Sequence, residues 1–368
     1  MKAKNLIITA LFAGIVLMSF ALPAAAAARM NQEEQKSDVV IIPDKVKSIF
    51  KEGINTRETL MQIPFSFAWH SFLPARQNIH SIFFFKLKNA DLGFVPVPQA
   101  VDITEEAPEK KKEETAQPEA QEVPALLQAS GHAFLQFTRI ENNSPQEVVK
   151  EVYIPINLQV EGKDYDPEKE ELYSASYPLP AGDYLLAMAV SSLDLERIGT
   201  QYFEFSLPDA FSFTDKIDTT PVFFIKNIRR MQEAETRAEV HKDFFTYSVL
   251  QIEPNIEKTF SKRDNLDIFF FIYGVVPDQA GKHDINVTYE VYQGEEIVIK
   301  YAIAHYDAPL VSQPLPLKKT VVIKSEAEGE KKEQRDLEAG QYTLQVQIDD
   351  KVSGKSIKKS VDFEITQE

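Results

Sequence analysis

The sequence predicts an all-β protein of two tandem antiparallel β-sandwiches of the immunoglobulin or fibronectin type III kind, preceded by a short helical arm. The first observation is a stretch that occurs twice, at residues 179–190 and 337–348. Both copies read Leu-x-Ala-Gly-x-Tyr and continue into a strand-like run. In the second copy, apolar and polar residues alternate strictly along this run. Residues 203–207 and 361–365 match at the same offset of 158 without a gap, which indicates duplication of one β module.

The second observation is the turn chemistry of this repeat. Gly182 and Gly340 stand where a turn needs a positive φ or a close backbone approach, which glycine adopts without steric cost. Tyr184 and Tyr342 follow two residues later. In immunoglobulin-like sandwiches a tyrosine at this corner buries its ring and bonds its hydroxyl to nearby backbone. The alternative is an ordinary core tyrosine at a strand start, and both interpretations are structural.

The third observation is the spacing of the strands. The sequence contains roughly seven short strand-like runs per repeat, separated by turn signals such as Gln293-Gly294. Runs of this kind favour a two-sheet sandwich.

The N-terminus has the pattern of a secretory signal peptide. Lys2 and Lys4 precede an apolar run, and alanines end the segment at residue 28. We therefore expect a protein exported to the periplasm or secreted after cleavage, with an uncleaved membrane anchor as the alternative. Residues 29–58 form the arm, in which a helix begins at Pro43-Asp44, ends at Gly53 and packs on the first sandwich.

The remaining chain divides into two sandwiches and a connector. We assign residues 59–208 to the first sandwich and 244–368 to the second. Residues 101–123 are highly charged and lack aromatic residues, which predicts a disordered acidic loop within the first sandwich, or alternatively a linker. The connector spans 209–243, and its charged stretch 226–241 has helical character. The short strand 222–225 is assigned either to this connector or to the second sandwich.

Composition disfavours two classes of partner and excludes two kinds of covalent linkage. The formal net charge is −16, and it becomes −18 once Lys2 and Lys4 leave with the signal peptide. So acidic a chain disfavours nucleic acids and anionic lipids. The absence of cysteine excludes a disulfide scaffold and an anchor through a lipidated cysteine. No further segment reaches the length of about 20 apolar residues that a membrane span requires, so no stable insertion is expected after signal removal.

Two phenylalanine triplets, at residues 83–85 and 269–271, stand inside strand-like runs. Consecutive strand residues point to opposite faces, so one face fits a sandwich core and the other needs a cover, either the arms or the neighbouring domain. The alternative is an aromatic platform for carbohydrate. Trp69 is expected to pack in a core or between strands.

No catalytic, cofactor-binding or metal-binding residues are predicted. The histidines have no metal-site spacing, and the nucleotide, phosphate and nucleophile-elbow motifs are absent. Three acidic stretches could bind calcium or form solvated turns, and solvated turns are preferred; they are residues 164–171, Asp194 with Glu196, and 264–267. Asn286 begins a glycosylation sequon that lies within a strand.

The order of elements around the repeated turn carries a family resemblance. The Leu-x-Ala-Gly-x-Tyr turn, strand, turn and closing strand, with a strand at residues 63–65 and a linker after Pro208-Asp209, resemble the non-catalytic C-terminal region of exported bacterial von Willebrand factor A-related proteins. The resemblance covers residues 63–365. The metal-ion-adhesion domain of those proteins, with its D-x-S-x-S signature, is absent here. The resemblance implies an exported pair of β-sandwiches and carries over no site residue.

The sequence therefore predicts a non-enzymatic, extracytoplasmic interaction or scaffolding protein that binds another exported or envelope protein through sandwich edges or the groove between the domains. One alternative is a carbohydrate-binding module. Another is a hydrolase with a site between the domains, because pairs of carboxylates that meet in space are not visible in the sequence.

Overall fold

The computed structural model describes residues 42–97, 126–209, 212–325 and 329–367. The predicted signal peptide and the predicted acidic loop 101–123 lie outside the described residues. The described part consists mainly of strands in antiparallel sheets, which confirms the all-β prediction. No helix of this described part has the length and hydropathy of a membrane span.

The elements up to residue 207 are the following, in chain order. They are α1 (Asp44–Thr56), β1 (Phe65–Ala75), β2 (Asn78–Lys88), α2 (Asn89–Leu92), β3 (Val95–Pro96), β4 (Leu126–Glu141), β5 (Ser144–Glu161), a 3₁₀ turn (Gly162–Asp164), β6 (Glu170–Leu179), β7 (Gly182–Ser192) and β8 (Ile198–Leu207).

The elements after residue 207 continue the numbering. They are β9 (Asp218–Thr219), β10 (Phe223–Arg230), β11 (Val240–Lys242), β12 (Phe245–Tyr247), β13 (Leu250–Pro254), β14 (Thr259–Phe260), β15 (Asn265–Tyr273), β16 (Ile285–Gln293), β17 (Glu296–Lys300), β18 (Ala304–Tyr306), β19 (Leu310–Pro316), β20 (Lys318–Ser325), β21 (Gly329–Asp336), β22 (Gly340–Asp350) and β23 (Ser356–Ile365).

The first sandwich consists of two facing sheets. Sheet 1 has the strand order β1-β2-β6-β11, and sheet 2 has the order β5-β4-β7-β8, with β3 beside β4. Their inner faces share one apolar core, in which Phe83, Phe137 and Tyr184 are fully buried. Along each strand, side chains that point into this core alternate with side chains that point to the outer face of the sheet, as the two-residue period of a pleated strand requires.

The second sandwich repeats this plan. Sheet 3 has the order β12-β13-β10-β15-β19, with β9 beside β15, and sheet 4 has the order β14-β23-β22-β16-β17, with β18 beside β16. The core between them includes Phe270, Tyr289 and Leu344. β1, β2 and β6 correspond to β10, β15 and β19, whereas β5, β4, β7 and β8 correspond to β17, β16, β22 and β23. The two copies therefore share one topology, with three strands facing four, which is an immunoglobulin-like arrangement.

The predicted tyrosine corners are present in both copies. The Tyr184 hydroxyl donates to the Pro180 carbonyl oxygen at 2.8 Å, and the Tyr342 hydroxyl donates to the Glu338 carbonyl oxygen at 2.8 Å. Each ring stacks on a phenylalanine of the closing strand, with ring centroids 5.4 Å and 5.7 Å apart. The glycines before them have positive φ values of 141° and 154°. These corners confirm that the repeated stretch builds the same local structure twice.

Helix α1 lies on the outer face of sheet 2 and packs against β7. Its residues Val46 and Phe50 are fully buried, and so are Ala187 and Ala189 on the outward side of β7. Both faces of β7 are therefore covered, which explains its continuous apolar run. In β22 the corresponding outward residues are polar, because no helix covers them in the described structure.

The predicted end of this helix at Gly53 is wrong. The helix continues to Thr56, and Gly53 is buried against β8. A Cβ atom added at Gly53 would lie 1.7 Å from the Tyr202 hydroxyl oxygen. Glycine serves here for a close approach between helix and sheet rather than as a helix stop.

The outer faces of sheets 1 and 3 pack against each other in a third apolar layer. Phe84 from the first triplet and Phe269 from the second are buried there, while their neighbours Phe83 and Phe270 face the two sandwich cores. Trp69 packs between Phe84 and Phe223, with centroids 5.5 Å and 5.0 Å away. The expected cover for each triplet is thus the neighbouring sandwich. The triplets are not an aromatic platform for carbohydrate, because five of the six rings are buried and Phe271 is half-buried against the third apolar layer.

The connector differs from the prediction. Residues 226–241 contain no helix; β10 extends to Arg230, and β11 pairs with β6 of sheet 1. β12 then joins sheet 3 after two intervening residues. The first strand of sheet 1 begins at Phe65, and the run 315–323 divides between β19 and the hairpin β20–β21.

Candidate interaction surface

The open edge of β5 is the most extended unpaired backbone that the described residues of the first sandwich present. β5 is 18 residues long and pairs with β4 on one side only. From Tyr153 to Glu161 its outward-facing side chains are exposed and alternate with buried core residues. An edge strand of this length carries a row of free N–H and C=O groups that can pair with another chain.

The register of sheet 2 shows which backbone groups face the open edge. The Ser192 N–H donates to the Arg197 carbonyl oxygen, so Ser192 faces β8 and its neighbour Ser191 faces β4. Ser191 pairs with His132, so the next residue, Ala133, faces β5 and pairs with Ile154. Residues of β5 that alternate with Ile154 therefore direct their backbone groups outward; they are Glu151, Tyr153, Pro155, Asn157 and Gln159.

The position of Pro155 agrees with this assignment. Proline has no N–H and is confined in sheets to edges where the missing donor costs no ladder bond. The open edge therefore offers four outward N–H groups in this stretch, with a gap at Pro155. This gap favours one pairing register over the others. A docking strand that aims a carbonyl oxygen at Pro155 leaves that oxygen without a hydrogen bond, whereas a strand in a register that avoids this contact forms all of its backbone hydrogen bonds.

Beside this edge lies a small exposed group of side chains, which we call the edge patch: His132, Tyr153 and Leu193. Tyr153 and Leu193 are 38% and 61% exposed. The His132 Nδ1 atom lies 3.0 Å from the Tyr153 hydroxyl oxygen, and its Nε2 atom lies 3.2 Å from the Leu193 carbonyl oxygen. Phe134 supports the Tyr153 ring from below at 5.5 Å. The patch is therefore held in place, with the Tyr153 and Leu193 side chains exposed and His132 half-buried between them.

The acidic stretches considered as calcium ligands serve the fold. Asp194 Oδ1 accepts hydrogen bonds from the Ser192 hydroxyl at 2.6 Å and from the Glu196 N–H at 3.0 Å, which closes the turn between β7 and β8. Asp264 Oδ2 accepts from the Ser261 N–H at 2.7 Å in another turn.

Glu171, at the end of the acidic run, is not solvated. Its side chain is 5% exposed and forms ion pairs with Lys169 and Lys242, each at 3.0 Å. Burial works against its charged form, but the two ammonium groups outweigh burial and hold the pKa of Glu171 below its usual value. Because Lys242 belongs to β11, this cluster fastens the connector to sheet 1.

The histidines occupy separate places. His70 lies in the first core beside Phe83, and His80 Nε2 contacts the Thr246 carbonyl oxygen across the two sandwiches at 3.1 Å. Burial lowers the pKa of each to about 4. His241 lies beside Glu235, a contact that histidine spacing alone does not predict, because the carboxylate approaches from a loop. Asn286 of the sequon lies in β16, as expected.

The fold places the chain among all-β proteins built from antiparallel sheets arranged as sandwiches. No family model matches its sequence, and no curated protein matches it. Among solved structures it is similar to the M60 catalytic domain with the CBM51-1 and CBM51-2 domains of Clostridium perfringens ZmpB, at 8% identity over 83% of this chain. The chain spans 40% of that structure, and the TM-score of 0.11 carries no argument about function.

Proposed function

We propose that this protein is an exported, non-enzymatic interaction protein, periplasmic or secreted, that binds an extended segment of another envelope or exported protein at the open edge of β5. The carrying observation is the row of outward N–H and C=O groups on β5 beside the exposed edge patch. The signal-like N-terminus supports export, and the acidic composition favours a protein partner over nucleic acid.

The recognition chemistry would be strand addition. A segment that lies antiparallel or parallel to β5 gains backbone hydrogen bonds, which supply affinity with little dependence on sequence. Side chains of that segment on the outer face of sheet 2 would meet Tyr153 and Leu193, which supply selectivity. Tyrosine is enriched at such contacts, since it combines apolar area with a polar hydroxyl. The groove between the sandwiches is filled by the third apolar layer, so it offers less room for a partner.

A pair of substitutions at Gln159 tests the backbone contribution. Gln159→Pro removes one outward N–H, whereas Gln159→Ala removes the side chain and keeps that N–H. The full mature chain carrying a photo-crosslinking amino acid at Asn157, an exposed β5 position outside the edge patch, is expected to yield a discrete adduct in an envelope fraction. The adduct should be lost in Gln159→Pro and kept in Gln159→Ala.

The same crosslinker placed at Ile303, which is 54% exposed on the second sandwich, provides the control. Equal labelling at both positions, or equal loss in both Gln159 variants, contradicts the proposal. Binding to a glycan array that is lost in Tyr153→Ala and kept in Gln159→Pro would instead assign the surface to carbohydrate.

A further inference from the structure

A group of metal-ligating side chains lies on the connector, away from the β5 edge. Glu235 and Glu239 belong to the loop before β11, and His241 is the middle residue of β11. One ligand atom from each residue lies within 4.8 Å of the other two. The imidazole is 8% exposed, whereas both glutamates reach solvent. This cluster is independent of the proposed strand addition.

The distances suit a single small cation. Zinc binds histidine nitrogen and carboxylate oxygen at about 2.0–2.2 Å, which places two ligands of a tetrahedral ion about 3.4 Å apart. His241 Nε2 and Glu235 Oε2 are 3.1 Å apart. Glu239 is exposed, and its side-chain rotamers can close the remaining distance.

Two of the ligands are already oriented by neighbouring groups. The Thr246 hydroxyl donates to Glu235 Oε2 at 2.7 Å. The His241 ring stacks on Phe244, with centroids 4.6 Å apart and an interplanar angle of 27°. Contacts of this kind around metal ligands fix their orientation and raise affinity.

The third residue distinguishes a cation site from a simple ion pair. The contact between His241 and Glu235 is complete without Glu239. Among the described residues, Glu239 forms no hydrogen bond or ion pair, although its carboxylate lies within 4.8 Å of the Glu235 carboxylate. Two carboxylates this close repel each other, and a bound divalent cation reverses that repulsion into attraction.

We propose that Glu235, Glu239 and His241 bind a divalent transition-metal ion, with zinc as the best fit, and that water completes the coordination. Mixed nitrogen and carboxylate ligands favour such ions over magnesium or calcium, which prefer oxygen alone. His241 lies in sheet 1 and Thr246 lies in sheet 3, so the ion would sit where the connector passes between the sandwiches. Its role would be to fasten the loop 231–239.

Isothermal titration of the chelator-treated full chain with zinc chloride tests the proposal. We expect one site of micromolar or tighter affinity and at least a tenfold weakening in Glu239→Ala. This variant removes no described hydrogen bond or ion pair, so it should fold normally. Glu233→Ala, on the same loop, and His305→Ala, an exposed histidine elsewhere, should bind zinc as the unmodified chain does.

Thermal unfolding with and without zinc gives a second readout. The unmodified chain should unfold at a higher temperature when zinc is present, and this increase should be clearly smaller in Glu239→Ala and in His241→Ala. Absence of binding by the unmodified chain overturns the proposal. Equal affinity in Glu239→Ala, or loss of affinity in either control variant, also overturns it.

Discussion

Exchange of equivalent residues between the two copies tests whether helix α1 determines the difference between β7 and β22. Ala187 and Gln345 occupy matching outward positions, 158 residues apart. Ala187 is fully buried beside Tyr202, whose hydroxyl donates to the Ile49 carbonyl oxygen of α1 at 3.4 Å. Gln345 lies on a face that no helix of the described structure covers. We therefore expect Ala187→Gln to destabilise the protein strongly and Gln345→Ala to change little.

The magnitude follows from two costs. The substitution adds a CH2CONH2 group where the space is already filled, which costs about 1–3 kcal/mol. Burial of the amide without hydrogen-bond partners adds about 1–3 kcal/mol. The free energy of unfolding should thus fall by about 3 kcal/mol in Ala187→Gln. Gln345→Ala should stay within about 0.5 kcal/mol, because the Tyr292 hydroxyl, 3.3 Å from the Gln345 side-chain oxygen, keeps its shorter hydrogen bond to Glu290 at 2.8 Å.

Urea unfolding measures both variants. Trp69 fluorescence reports on the layer between the sandwiches, because Trp69 packs against Phe84 and Phe223. Far-UV circular dichroism reports on the strands and α1. Changes of equal size in Ala187→Gln and Gln345→Ala would refute the reasoning, since both outward faces would then be equivalent in solution.

Three further predictions concern the corners, a core histidine and the helix contact. Tyr184→Phe and Tyr342→Phe should each lower the free energy of unfolding by about 1 kcal/mol, since each loses one hydrogen bond to a carbonyl oxygen; urea titration of both measures it, and clearly unequal losses contradict equivalent corners. The pKa of His70 is about 4 in the folded protein and 6.5 in the unfolded chain, so the unfolded chain binds more protons between these values. Stability should therefore fall by up to about 3 kcal/mol as the pH drops from 6.5 towards 4, and His70→Gln should reduce this slope in unfolding curves recorded across that range. Gly53→Ala should force the Tyr202 ring away from α1 and break its hydrogen bond to the Ile49 carbonyl oxygen, because the new Cβ atom would meet the Tyr202 hydroxyl; faster hydrogen exchange at the C-terminal end of α1 would show it, and unchanged protection would contradict it.

Local sequence patterns are sufficient to predict the repeated units of the fold. The Gly-x-Tyr turn predicts the corners at Tyr184 and Tyr342, because the glycine that permits the positive φ and the tyrosine that buries its ring lie within three residues of each other in the sequence. The alternation of β22 and the apolar run of β7 likewise predict strands. The phenylalanine triplets predict a cover on their second face, and the third apolar layer provides it.

Features that depend on distant pairing do not show in the local pattern. β11 is three residues long and exists because β6 offers an edge, so the charged run around it has the pattern of a helix without forming one. Glycine commonly stops helices, which predicts a helix end at Gly53, whereas the reason for this glycine is Tyr202 on a distant strand. The chain leaves β19 at Pro316 and enters the hairpin β20–β21 at Lys318, and this change of sheet depends on which strands each segment pairs with.

The candidate surface shows the same limit. The place of β5 at the edge of sheet 2 depends on the pairing order of four strands, which no local pattern shows in full. Pro155 is the available signal, because proline within a strand favours an edge. The two-residue spacing of Glu239 and His241 is compatible with their approach, yet Glu235 joins them only through the course of the loop.

The passage of the connector through both halves has a mechanical consequence. β11 is bonded into sheet 1, and β12 is bonded into sheet 3 only two residues later, so there is no slack chain between the sandwiches at this point. Rotation of one sandwich relative to the other would have to break the hydrogen bonds that hold β11 to β6 or β12 to β13. A molecule held along β5 would accordingly be displayed at a constant distance and angle from sheet 4, as if by a rigid bracket.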